Sequence, residues 1–257
     1  MTATEPRPLA AEAPLLHETP LAYATRLAFQ YTQEVAAGGR HDLGQFFTPP
    51  AVACFMAALA TPPPTIRRVL DPGAGTGILA GALCEALPGG TGPVHLDAYE
   101  LDPLLNRLCQ LALGYATRWL APRGIHLTFT VHAADFVLVN AGALTPRLLD
   151  QAPPGNYDLA IANPPYFKLP KSDPRARAAA SIVHGQPNIY ALFLAITGQL
   201  LAPGGVMVTI TPRSFTTGDY FRLFRQYFFD TVTPEAVHLF QSRTATFQQD
   251  AVLQETV

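Results

Sequence analysis

The sequence predicts an α/β fold: a doubly wound, mostly parallel seven-stranded sheet that ends in an antiparallel strand pair. Three observations predict it. Short apolar runs alternate with longer stretches of helical periodicity, the pattern of strands covered by helices on both faces. The first apolar run is followed by a glycine-rich turn, Pro72-Gly73-Ala74-Gly75-Thr76-Gly77, that opens a helix. A later run, Tyr157–Ala162, is apolar almost throughout and stops at Asn163-Pro164-Pro165-Tyr166. A strand buried on both faces behaves so when prolines forbid further pairing.

With 257 residues, 49% hydrophobic and 14% charged, the chain can bury one sizeable core and is not a disordered protein. No apolar run reaches membrane-spanning length, and the N-terminus lacks a basic-then-apolar signal segment. Cys54, Cys84 and Cys109 all fall in apolar helical contexts and read as buried thiols of a reducing, cytoplasmic compartment. The seven histidines are scattered, so no metal site is expected. A net charge of -2 is not the footprint of a chain that binds nucleic acid unaided.

Residues 1–20 lack periodicity and read as a loose arm. From Leu21 to Ala37, Leu21, Ala24, Leu27, Ala28, Tyr31 and Val35 recur at helical spacing, and Gly38-Gly39 ends that helix. Gln45-Phe46-Phe47-Thr48-Pro49 leads into an apolar helix over 51–60, with Thr48 expected as N-cap and Pro49 as the first helical residue. Arg68–Asp71 forms the first strand, and a helix over 78–87 follows the glycine-rich turn. The second strand, 95–100, ends on Glu100; Asp102-Pro103 then caps and starts a long helix to Leu120. A third strand over 126–131 leads to Asp135, and Tyr157–Ala162 is the fourth. The stretch 167–186 is polar, basic and structureless by pattern, as disordered loops and functional lids are. Pro187-Asn188 opens an apolar helix to Leu201, and 206–210 is the fifth strand. An aromatic helix with Tyr220, Phe221, Phe224 and Phe228 follows. Residues 236–240 and 251–257 read as the antiparallel pair, inside which the chain ends as if cut.

Ligands of doubly wound sheets bind at the C-terminal ends of the strands. Those ends carry Asp71, Glu100, Asp135 and Asn163. Glycines at 73 and 75 let a ligand lie against bare backbone. The third glycine of a dinucleotide-binding G-x-G-x-x-G is replaced by Ile78, with Gly77 one place early, and Asp71 would repel a pyrophosphate. The first feature counts against NAD, and Asp71 suits a ligand with an amino group instead. Glu100 occupies the usual place of an acceptor for ribose hydroxyls. Proline has no N–H, so the Asn-Pro-Pro turn offers acceptors and few donors; it suits a substrate amine, with Tyr166 as a flat face for a planar ring.

Taken in order, Gln45-Phe46-Phe47-Thr48-Pro49, Asp71 through Gly77, Glu100, Asp135, Asn163-Pro164-Pro165-Tyr166, Pro187-Asn188-Ile189-Tyr190 and Phe215 resemble a known set. It is that of the S-adenosylmethionine-dependent DNA adenine-N6 methyltransferases of bacterial restriction–modification systems. The resemblance implies a Rossmann-like catalytic domain over 21–257. It implies that Phe47, Thr48, Pro49, Asp71, Gly73 and Gly75 hold the methionine end of S-adenosylmethionine, that Glu100 takes the ribose and that Asp135 takes the adenine amine. Asn163, where cofactor and target meet, and the Pro164 carbonyl would accept the target N6 amine, with Pro165 fixing the turn. Tyr166 and Phe215 would sandwich a flipped-out adenine, and Lys168, Lys171, Arg175 and Arg177 would grip flanking phosphates. Double-stranded DNA is the implied partner, with a cognate restriction endonuclease in the same system and no membrane. The family's target-recognition region lies beyond the point where this chain ends, so a further domain or a specificity subunit is expected. Asn-Pro-Pro-Tyr is shared with protein-glutamine methyltransferases. A protein-glutamine or RNA N-methyltransferase therefore stays open, as does a catalytically silent cofactor-binding subunit.

Overall fold

The structure, a computed structural model, describes residues 13–37, 47–62, 65–144, 156–183 and 187–240. The apolar runs pair as five parallel strands: β1 (Arg68–Pro72), β2 (Val94–Tyr99), β3 (Leu127–His132), β4 (Tyr157–Ala162) and β5 (Leu201–Thr209). Their order is β3-β2-β1-β4-β5, so the chain winds outward from β1 to β3, then returns to the other side of β1. β1 and β4 are buried along nearly their whole length, which is why Val69-Leu70 and the run from Leu159 to Ala162 are apolar at successive positions rather than alternating.

Helices cover both faces. On one, α1 (Pro20–Ala37), α2 (Pro50–Ala60), α3 (Ile78–Ala86) and α4 (Pro103–Leu120) share a core with Val69, Leu96, Leu159 and Ile161. On the other, α5 (Phe136–Asn140), α6 (Pro174–Ala178), α7 (Ile189–Leu200) and α8 (Arg222–Thr231) pack with Leu70, Tyr99 and Ala160. Among the described residues no helix is long and apolar enough to cross a membrane.

α1 is tied to α3 at its first turn. The Leu21 amide donates to Glu85 Oε1 at 2.7 Å, and the Thr76 hydroxyl donates to the Ala24 carbonyl at 2.9 Å. Gly81 makes this contact possible, because a Cβ there would meet the Pro20 oxygen at 3.0 Å and the Leu21 backbone at 3.1 Å. Residues 13–19, expected in the loose arm, are anchored as well. Glu18 pairs with Arg26 at 2.8 Å, and its carbonyl accepts the Tyr115 hydroxyl.

A polar cluster crosses the sheet at Asp97. Asp97, mid-strand in β2, accepts Arg68 Nη2 at 2.9 Å and the Tyr157 hydroxyl at 3.0 Å, and lies 2.8 Å from His132 Nε2. Burial pushes its pKa up, yet the hydrogen bonds from His132, Arg68 and Tyr157 outweigh this and hold it below the usual carboxylate value. The cluster joins β1, β3 and β4 to β2.

Several expectations are corrected. The sheet has five strands among the described residues, not seven. Residues 233–240 are extended but form no ladder; Val237 and Leu239 point to solvent, and the segment is held by the rings of His238 and Phe240 against Phe55. The partner expected for 236–240, at 251–257, lies outside the described residues. The stretch 167–186 is not structureless. Lys168 bridges to Asn188, Leu169 is buried, and Asp173 caps α6 by accepting the Arg175 amide at 2.8 Å. Cys54 is exposed, because α2 turns Val52, Ala53, Met56 and Ala57 to the core and position 54 away from it.

Replacing Gly81 by valine should destabilise the fold by about 1–3 kcal/mol through overpacking. Gly89→Ala, where a Cβ meets nothing within 4 Å, should stay within about 0.5 kcal/mol of wild type. Urea unfolding of both variants checks this.

Candidate active site at the β1/β4 switch point

A doubly wound sheet opens a crevice where its winding reverses, here between β1 and β4. A cavity of about 230 Å³ occupies it, with Gly73 and Gly75 from the β1 turn, Glu100 and Asp135 from the ends of β2 and β3, and Asn163 through Tyr166 from the end of β4. Gly73 and Gly75 have φ of 74° and 58°, a region that costs a side chain about 1–2 kcal/mol. A Cβ on Gly75 would meet the Phe47 ring at 3.5 Å, and one on Gly73 would meet Phe193 at 3.4 Å. Gly77, at φ 85°, starts α3, and a Cβ there would approach Cys109 and Ala112 of α4 at 3.5 and 3.7 Å. Its position one place early thus serves close helix packing.

Glu100 is almost fully buried and already committed. Its Oε2 accepts the Gly75 amide at 2.9 Å and its Oε1 the Asp102 amide at 2.8 Å. Each carboxylate oxygen retains one lone pair, so the pair can still take two hydroxyls of a diol. Burial raises the Glu100 pKa against the pull of these two amides. Asp135 caps α5 through the Leu138 amide at 3.0 Å.

Asp71 does not line the cavity. It lies two residues before Gly73, fully buried, with both carboxylate oxygens lacking a hydrogen-bond partner among the described residues. Burial pushes its pKa up to about 7; the nearby Ala80 amide opposes the shift and the Glu100 charge adds to it. An uncompensated buried carboxylate is costly on its own and favourable beside a cation. That orphan, the bare backbone at Gly73 and Gly75 and the diol acceptor at Glu100 fit S-adenosylmethionine, which carries a sulfonium, an ammonium and a ribose.

At the end of β4 the Asn163 side chain is held from both sides. Its Nδ2 donates to the Thr48 hydroxyl at 3.0 Å, and its Oδ1 accepts the Tyr166 hydroxyl, which also faces the Ile210 carbonyl at 2.7 Å. Thr48 is therefore not the N-cap of α2. Pro49 takes the cap position without a side-chain bond and Pro50 begins the helix, which frees the Thr48 hydroxyl to orient Asn163. Pro49 itself does not line the cavity.

Phe215 is not beside Tyr166 in the cavity. Its ring packs edge-on against Tyr190 and Phe224 and lines a separate groove of about 740 Å³ along β5 and the segment 233–240. That groove is larger, but it lacks the buried carboxylates and the Asn-Pro-Pro turn. Of the basic residues, Lys168, Lys171 and Arg177 are exposed, as phosphate contacts would be, while Arg175 turns into the cavity. Sequence reasoning missed Phe193 and Ile189 of α7, which also line it. Their spacing of four places both on one helix face, a periodicity that core packing produces equally well.

Residues 131–247 match the family model described as Eco57I restriction-modification methylase. The chain is 33% identical to the type II methyltransferase M.BsuBI of Bacillus subtilis, an alignment covering 85% of this chain and 43% of that protein. It is 30% identical to the type II methyltransferase M.PstI of Providencia stuartii, covering 85% and 42%. A tRNA1(Val) (adenine(37)-N6)-methyltransferase of Serratia proteamaculans is 29% identical over 57% of this chain and 48% of its own length. Among solved structures, the type IIG restriction endonuclease BpuSI shares the fold with a TM-score of 0.64 at 20% identity, covering 93% of this chain and 27% of that one. The chain thus spans less than half the length of these relatives.

The folded-state pKa of Asp71 lies above the ordinary 3.8, so folding favours its neutral form. Its contribution to stability is complete below about pH 4 and is lost as pH rises through about 7. Asp71→Asn should therefore flatten the fall in Tm between about pH 4 and 7, measured by thermal unfolding without ligand; an unchanged slope would contradict the buried charge.

Proposed function

We propose, from the chain's kinship with the methylases of restriction–modification systems, that it transfers the methyl group of S-adenosylmethionine to the N6 amine of an adenine in DNA. The single observation that carries this reading is the Asn163 side chain, fixed by Thr48 and Tyr166 at the rim of a cavity whose other wall suits the cofactor. The cofactor supplies a methyl group already activated by its sulfonium. The chain's residues supply position and electrostatics. Asn163 Oδ1 and the Pro164 carbonyl accept the two N–H bonds of the target amine, which draws its lone pair out of conjugation with the ring. The nitrogen then forms the new N–C bond as the S–C bond breaks, leaving S-adenosylhomocysteine, and the methylated amine sheds its proton to water. No strong base is called for. The Tyr166 ring, beside Asn163, provides a stacking face for a base taken out of the duplex.

In this reading residues 21–257 act as the catalytic domain, working in the cytoplasm on the cell's own DNA and protecting it from a cognate endonuclease. Lys168, Lys171 and Arg177 meet flanking phosphates. With a net charge of -2, DNA reading falls to a further region or subunit. A second reading, methylation of an adenine in RNA, is favoured by the likeness to the tRNA adenine-N6 methyltransferase and places the same demands on Asn163.

Asn163→Ala should abolish transfer while leaving S-adenosylmethionine affinity within a few-fold. Glu100→Ala should weaken cofactor binding by about 10-fold or more, the scale of one or two lost hydrogen bonds to a charged group. Tritiated-methyl transfer to unmethylated DNA and to tRNA, with calorimetric cofactor titration, tests both. Label appearing as N6-methyladenine only in tRNA would select the second reading. Label in neither, despite cofactor binding, would overturn both.

A further inference from the structure

Arg175 was grouped by sequence with the basic residues that would face phosphates. Its position in the fold is different. It is in the first turn of α6, only half-buried, and it lines the cavity; among the described residues it is the one cation that does. Two of its nitrogens, Nε and Nη2, donate to the Asp173 carboxylate at 2.9 and 2.7 Å. This two-point contact fixes the plane of the guanidinium. The third nitrogen, Nη1, lies 3.5 Å from Asp135 Oδ2. The guanidinium also sits over the Phe167 ring, 5.6 Å from its centroid.

Asp135 is the acid at the end of β3, and its other oxygen, Oδ1, is used by the Leu138 amide. Oδ2 is therefore the atom left to meet a ligand, and Arg175 stands beside it. A carboxylate accepts but does not donate. This wall therefore selects a ligand group that donates, such as the exocyclic amine of a purine. The segment after the Asn-Pro-Pro-Tyr turn is also pinned at three further points. Leu169 is buried, the Leu169 amide donates to the Pro187 carbonyl at 2.8 Å, and the Ile189 amide donates to the Phe167 carbonyl at 2.9 Å. Arg175 is its contact with the cofactor wall.

We infer that Arg175 is a cofactor-site residue rather than a DNA contact: it aims Asp135 at the amine of the cofactor's adenine and holds the α6 segment over that end of the cavity. The inference rests on the methyl-donor reading and adds to it a residue that sets purine specificity. It also separates the basic stretch into two parts. Lys168, Lys171 and Arg177 face outward, and Arg175 faces in.

The test is titration of the full chain with S-adenosylhomocysteine and with S-inosylhomocysteine, whose purine carries an oxo group in place of the amine. The wild-type chain should bind the adenine form more tightly by about 10-fold or more, the value of one well-placed hydrogen bond to a charged group. Arg175→Ala should weaken the adenine form by about 10-fold and shrink the preference to about twofold. Arg175→Lys, which keeps the charge without the two-point hold, should recover part of the preference. Equal weakening of both ligands in Arg175→Ala would mean a merely structural role and would overturn the inference. Unchanged cofactor affinity with a loss confined to DNA binding would return Arg175 to the phosphate contacts. Failure of the wild-type chain to bind either ligand would overturn the methyl-donor reading itself, and Arg175's role with it.

Discussion

The Glu100 carboxylate is the constraint on which the ligand-facing edge depends. One oxygen holds the glycine-rich turn after β1 through the Gly75 amide, and the other holds the start of the β2–α4 turn through the Asp102 amide. Asp102 passes the order outward. Its Oδ1 caps α4 at the Leu104 and Leu105 amides, and its Oδ2 receives the Tyr31 hydroxyl of α1 at 3.3 Å. Asn106 closes the circuit by donating to the Glu100 carbonyl at 3.2 Å. A parallel sheet puts all its strand ends on one side but does not by itself hold the loops between them in register. Here a buried acid does so, and its burial means that water does not compete for the same lone pairs.

The charge pattern of the site follows from this economy of loops. Asp71 and Glu100 are both buried and both raised by burial, and Asp102 and Asp135 flank the same cavity. Three acids, Glu100, Asp102 and Asp135, line the cavity, Asp71 lies buried behind it, and Arg175 is the one cation on its wall among the described residues. Such a cavity is poorly suited to phosphate and well suited to a ligand with positive charge and donor groups. The two-sided grip on Asn163 adds the second half of the site without adding charge.

Much of this was legible in the sequence, and the parts that were not share a physical reason. Strand ends, the Asp102 cap and the tips bearing Glu100, Asp135 and Asn163 follow from local rules: apolar runs, proline stops and capping chemistry. The Thr48 hydroxyl was read as a helix cap because Thr-Pro before an apolar run satisfies that rule. Whether it caps or turns to Asn163 is decided by contact across 115 residues of chain. The surroundings of Phe215 and the place of Arg175 on the cavity wall were hidden for the same reason. A ring among rings, or an arginine in a basic run, has no local mark of which wall it faces. The short helix α6 escaped notice because five residues carry too little periodicity to be seen, although its cap, Asp173 before Pro174, was present in the sequence. Residues 236–240 are extended, as strand propensity predicts, and the strand expected to pair with them lies outside the described residues.

The hydroxyl of Tyr166 has one proton and faces two acceptors, Asn163 Oδ1 and the Ile210 carbonyl. It can donate to either one. An amine arriving at Asn163, as the methyl-transfer reading has it, can occupy Oδ1 while the hydroxyl keeps a bond to Ile210. The Tyr166 proton is bonded throughout such an exchange. An amide whose oxygen had a dedicated donor would have to be unfastened first. This one is held in place and yet always available.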